Sequence, residues 1–235
     1  PPLAKPEVPG RPGSFTGGTV VEEGVVVIRD LAALGGGLLR VRAGATVRLD
    51  VAGEVAVSSL VIEPGGRVDI GAGRLTVAAG GGTPDDVRSQ LLTGRGEGGW
   101  DGAGGFVTRL GDASAGVGLG YLVNDDASIT VAYALAGDVN LDGQIDILDV
   151  SQLGAGGTYD TGAFADWARG DVNYDGVCDL LDVVGILAAN GFDRGPYAAA
   201  PPAAASPPPT SAVDAGMLSA WAAAFATLTY EQPAK

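Results

Sequence analysis

Fourteen residues from Gly137 to Val150, Gly-Asp-Val-Asn-Leu-Asp-Gly-Gln-Ile-Asp-Ile-Leu-Asp-Val, return 33 residues later as Gly170-Asp-Val-Asn-Tyr-Asp-Gly-Val-Cys-Asp-Leu-Leu-Asp-Val183. Ten of the fourteen positions are identical and most of these are glycine or carry a side-chain oxygen, so what the repeat retains is oxygen donors. Oxygen donors at alternate positions around a tight turn suit a hard divalent cation. In a calcium loop of the EF-hand kind, side chains at positions 1, 3, 5, 9 and 12 supply oxygen directly or through water. Position 7 lends its backbone carbonyl, and position 6 is a glycine where the chain turns sharply. The first loop fills those places with Asp138, Asn140, Asp142, Gly143, Gln144, Asp146 and Asp149. The second fills them with Asp171, Asn173, Asp175, Gly176, Val177, Asp179 and Asp182. Solvated Asx turns are the plain alternative, since Asp-Gly and Asn-rich segments turn without metal. Turns do not require acids at positions 1, 5, 9 and 12 twice over, and four carboxylates so close together repel unless a cation sits among them. Two calcium ions are therefore expected, one per loop. Magnesium is disfavoured because it keeps more of its water and rarely uses an all-protein cage.

A short apolar helix is expected after each loop, on Ile147, Leu148, Val150 and Leu153, and on Leu180, Leu181, Val183, Val184, Ile186 and Leu187. A further helix is expected from Thr161 to Ala168, capped by Thr161 and packing Phe164 and Trp167 on the other two. Cys178, the lone cysteine, takes loop position 8, where the first loop has Ile145. It is expected to be a buried apolar residue facing that counterpart.

Upstream, residues 1–18 are Pro- and Gly-rich and read as a linker. From Thr19 onward, short β-branched runs alternate with period two, as in Val47 and Leu49 or Val68 and Ile70, between turn units such as Glu63-Pro-Gly-Gly66. The expected fold class is multi-domain: an all-β region at 19–124, a β-solenoid or small β-sandwich, followed by a small helical module. Residues 80–124 are glycine-dense and read as an irregular loop pinned by Trp100. Residues 125–136 form a connecting strand, the double-loop module spans 137–193, 194–212 is a Pro/Ala linker, and 213–235 is a tail with helical composition.

The chain of 235 residues carries 28 acidic and 14 basic side chains and no histidine, for a net charge of -14. That balance lacks the basic footprint of a nucleic-acid partner, and no apolar run is long enough to span a bilayer. Without histidine, a Ser/His/Asp triad or histidine-bearing zinc site cannot form. Scattered carboxylates such as Glu63, Glu97 and Asp101 sit in no recognisable catalytic motif, and the fragment is read as non-catalytic.

Position 12 of both loops is Asp rather than Glu, and one short helix follows each loop. The tandem Asp-x-Asn-x-Asp-Gly-x-x-Asp-x-x-Asp pair at 137–193 thereby resembles the type I dockerin domain. More loosely, the layout resembles C-terminal regions of secreted planctomycete-type bacterial proteins. The resemblance implies two bound calcium ions and a cohesin-like or other protein partner. It also implies an extracellular or cell-surface location, with any targeting sequence lying upstream of this portion, and a link to polysaccharide-degrading proteins. One departure concerns partner reading: positions 10 and 11, often Ser-Thr in dockerins, are Ile147-Leu148 and Leu180-Leu181. Two other readings stay open, an intramolecular calcium clamp and a fragment of a polysaccharide-degrading β-helix enzyme. Extensive burial of Leu148 and Leu181 against residues 19–124 would favour the clamp over an external partner.

Overall fold

The structure, a computed structural model, describes residues 17–51 and 53–197. Most of the expected linker at the start lies outside these residues, as do most of the Pro/Ala linker and the whole tail helix. Among the described residues ten strands form two sheets, the first eight alternating between them. Strands β1 (Thr19–Val21), β3 (Gly36–Val41), β5 (Glu54–Ile62), β7 (Arg74–Val77), β9 (Val117–Val123) and β10 (Ile129–Leu135) form one sheet, in the order β1-β3-β5-β7-β10-β9. Strands β2 (Gly24–Ile28), β4 (Ala45–Leu49), β6 (Arg67–Asp69) and β8 (Gly105–Val107) form the other, in chain order. All neighbours run parallel except β10, which is antiparallel to both β7 and β9.

Register explains the sequence pattern. Val21, Val41 and Ile62 stand side by side across β1, β3 and β5, and Val47, Val68 and Phe106 across β4, β6 and β8. Each column is apolar and buried, while the intervening positions turn out. Between the columns the outer face is charged, with Arg48 paired to Asp69 at 3.1 Å and Arg40 to Glu63 at 3.3 Å. Alternation of this kind fixes register, because a one-residue slip would turn every valine to water.

Three α-helices complete the described fold: α1 (Pro84–Arg95), α2 (Ile147–Gly156) and α3 (Leu180–Ala189). Helix α1 starts with Thr83 accepting the Asp86 N–H, Pro84 in the first turn, and acidic Asp85 and Asp86 beside the positive end of the helix dipole. It packs flush on β8 through Gly94, where a Cβ would lie 1.6 Å from the carbonyl oxygen of Phe106.

The expected fold class is thereby corrected. The chain is mixed α/β, with two parallel-rich sheets and helices, and not an all-β region followed by a separate helical module. One reason is local: the glycine density of 80–124 masked a well-capped helix whose glycine serves close packing. The other is tertiary. Leu141, Trp167 and Tyr174, which belong to the double-loop segment, are buried in the same core as Trp100, Leu119 and Tyr121. A second, smaller cluster of Ala136, Val139, Val150, Leu153 and Ile186 lies between α2 and α3. The helix expected over Thr161–Ala168 is also absent. A single 3-10 turn at Trp167–Arg169 stands there, capped by Asp166, and Phe164 is exposed.

Candidate calcium loops

Both loops use their oxygens first to fold themselves. Asp138 accepts the Asp142 N–H at 3.1 Å through Oδ1 and the Gly143 N–H at 2.9 Å through Oδ2. In the second loop Asp171 Oδ2 accepts the Gly176 N–H at 3.0 Å. Asn140 and Asn173 each accept the N–H two residues on, and Asp142 and Asp175 repeat the pattern toward Gln144 and Val177. At position 6 the glycines turn with φ of +90° and +97°.

Positions 9 and 12 work as pairs. Asp146 and Asp179 cap α2 and α3 by accepting the Leu148 and Leu181 N–H groups. Asp149 and Asp182 close each capping box and reach back across the loop, their Oδ1 atoms accepting the Val139 and Val172 N–H groups, both at 2.9 Å. The structure therefore ties position 12 of each loop to the backbone at positions 2, 3 and 9. Asp142 and Asp175 stay exposed, with Gln144 and Val177 half-buried.

The repeats exchange contacts. Ile145 bridges to Phe192, and Cys178 to Tyr159, so position 8 of each loop pairs with the segment that follows the other repeat's helix rather than with its counterpart. Cys178 lies near Leu153 of α2, and Ile145 near Ile186 of α3, across Gly170 and Gly137. Burial, with the surrounding carboxylates of Asp182 and Asp171, pushes the Cys178 thiol up to about 12. In the folded chain at pH 8, thiol labelling is expected to be at least about tenfold slower than in urea. Equal rates would show that the second loop does not hold the cysteine inside.

Electrostatically the loops are unusual. Asp138, Asp149, Asp171 and Asp182 are completely buried. Burial pushes the carboxyls of Asp149 and Asp171 up to about 6, and raises those of Asp138 and Asp182 as well. Buried carboxylates are costly unless a cation or hydrogen bonds compensate them. Among the described residues no group of three or more His, Cys, Asp or Glu side chains that could hold a metal ion is assembled. The fit to calcium rests instead on the donor set and on Asp171 Oδ1, a buried oxygen with no hydrogen-bond partner. Hard oxygen donors of carboxylate, amide and backbone carbonyl are what this cation takes.

Sequence reasoning missed the residues that seat the loops. Position 4 of each loop, Leu141 and Tyr174, adopts a left-handed φ of 55° and 67° and sends its side chain into the shared core. A body arginine binds each position-4 carbonyl: Arg74 donates to Leu141 O, and Arg88 of α1 to Tyr174 O at 2.9 Å. The Tyr174 hydroxyl donates to Leu119 O at 2.7 Å, and the Trp167 indole N–H to Asp138 O at 2.8 Å. Trp167 packs against Gly120 of β9, where a Cβ would come within 2.4 Å of the ring. Tyr197 donates its hydroxyl to Asp138 Oδ2 at 2.5 Å. The apolar residue between two ligand positions was the one available sign of this docking.

No family model, curated protein or solved structure matches this chain. No helix among the described residues is long and apolar enough to cross a membrane.

Proposed function

We propose that this chain attaches the protein bearing it to a protein partner through two calcium-ordered loop–helix units, in the manner of a type I dockerin. One observation carries the reading: each repeat buries its position-4 side chain inward and turns its position-10 and -11 pair outward. Leu148 is 60% exposed and Leu181 64%, with Ile147, Leu180 and Val184 similarly bare. The two pairs begin α2 and α3 directly after the Asp-rich turns, so their orientation depends on loop order. Calcium would be held by Asp138, Asn140, Asp142, Gln144 O, Asp146 and Asp149, and by Asp171, Asn173, Asp175, Val177 O, Asp179 and Asp182. The ion supplies positive charge that lets the buried carboxylates stay ionised in a folded loop.

An intramolecular clamp is the second reading, favoured by the burial of Leu141, Trp167 and Tyr174 in the common core. The two are separable. In the docking reading the L148S/L181S variant keeps its calcium-dependent melting and loses partner affinity by more than about tenfold, as expected when central apolar contacts are removed. A panel of cohesin modules, assayed on the immobilised full chain in calcium and in chelator, supplies the partner. Binding that ignores chelator or tolerates both substitutions would sink the docking reading, and calcium-dependent melting with no binding would leave the clamp.

A further inference from the structure

We infer that Arg88 acts as a resident cation of the second loop and makes the two calcium sites unequal: the second stays seated on the body without calcium and binds calcium more weakly than the first. The inference rests on the calcium reading above.

The first ligand of each loop is buried but differently partnered. Asp138 takes the neutral hydroxyl of Tyr197. Asp171 takes a guanidinium, with Arg88 Nη2 at 3.2 Å from Oδ2, the oxygen that also accepts the Gly176 N–H. The same Nη2 donates to the Tyr174 carbonyl, and the guanidinium lies 5.6 Å above the Phe164 ring. Arg88 is itself mostly buried, so its charge is poorly screened by solvent. Arg74 reaches the first loop as well, but at a carbonyl rather than at a carboxylate.

Among the described residues two buried side-chain atoms, Asp171 Oδ1 and Arg88 Nε, have no hydrogen-bond partner. They are the atoms that a side-on, two-bond arginine–carboxylate pair would join. Asp171 Oδ1 is also the oxygen that position 1 offers to a divalent ion. Arginine and ion therefore bid for one oxygen. Without calcium, the guanidinium neutralises Asp171 and keeps Tyr174 docked. With calcium, the ion must bind beside a fixed positive charge and hold Arg88 to its single contact with Oδ2. Among the described residues no such charge meets the position-1 carboxylate of the first loop, so its order depends more fully on calcium.

Calcium titration of the full chain, followed by the amide NMR signals of Gly143 and Gly176, reads the loops separately. In the parent chain the Gly143 midpoint is expected at least about tenfold lower in calcium than that of Gly176, the scale set by one charge interaction of roughly 1.4 kcal/mol. Arg88→Gln keeps a donor for the Tyr174 carbonyl and removes the charge. It is expected to move the Gly176 midpoint about tenfold lower, leave that of Gly143 in place, and broaden the Gly176 signal in chelator. Arg88→Lys retains the charge and is expected to leave the second loop weak. An unchanged or raised Gly176 midpoint in Arg88→Gln, with both glycines still responding, would overturn this inference alone. Silence of both glycines in the parent chain would overturn the calcium reading and this inference with it.

Discussion

Removing calcium from the full chain is expected to lower its melting temperature by roughly 10 °C relative to 10 mM calcium. Extracellular calcium modules work with sites on the order of 10⁻⁴–10⁻³ M. At that calcium level each such site contributes about 1.4–2.7 kcal/mol to the folded state. For a chain of this size each kcal/mol moves the midpoint by about 2–4 °C. The pH dependence should differ between the two conditions. In chelator, the carboxyls of Asp149 and Asp171 have folded values near about 6, raised above the ordinary 3.8. A raised folded value gives stability that is fully present below the unfolded value and is lost as pH rises through about 6. The chelated chain should therefore weaken between about pH 4 and pH 7, and added calcium should restore most at the upper end. Melting curves that coincide in calcium and chelator at pH 7.5 would remove the metal from this account.

Truncating Tyr174 to alanine is expected to cost about 3–5 kcal/mol, the range for deleting a large buried aromatic side chain. The ring is 3% exposed and lies edge-on to Trp100, stacked near Tyr121 and tilted against Trp167. Tyr174→Phe keeps the ring and leaves the Leu119 carbonyl without its donor, which costs about 1–3 kcal/mol. Urea unfolding of the full chain reads both losses. Because the loops share the main core, one cooperative transition is expected, and the variant should move all of it. Two separate transitions, with only the smaller one shifted by Tyr174→Ala, would mean that the loops form an independent unit after all.

Much of the site could be read from residue order alone, since Asp, Asn and Gly at fixed intervals dictate a local turn. That Asp146 and Asp179 also cap α2 and α3 was not read, because both were assigned only as ligands. The strands were legible too, because Val47, Leu49, Val68 and Ile70 alternate with polar neighbours and are buried in the structure. What stayed hidden were relations across distance. Arg88 meets Asp171 over 83 residues of sequence, and nothing in either neighbourhood announces the other. Helix α1 escaped because glycine, which weakens a helix in solution, is at Gly94 what lets it touch β8. The all-β expectation failed where a glycine-dense stretch was taken for a loop and where two aromatic residues of the acidic segment, Trp167 and Tyr174, turned out to complete the body's core.

The crosswise bridges, Ile145 to Phe192 and Tyr159 to Cys178, bear on how this segment was acquired and how it can be cut. A single repeat ending before Tyr159 would leave its eighth loop residue with no strand to lie against, and a second repeat beginning after it would be equally short of one. The duplicated halves are thus interlocked. Two chains opened between the halves hold everything needed to close again by trading them.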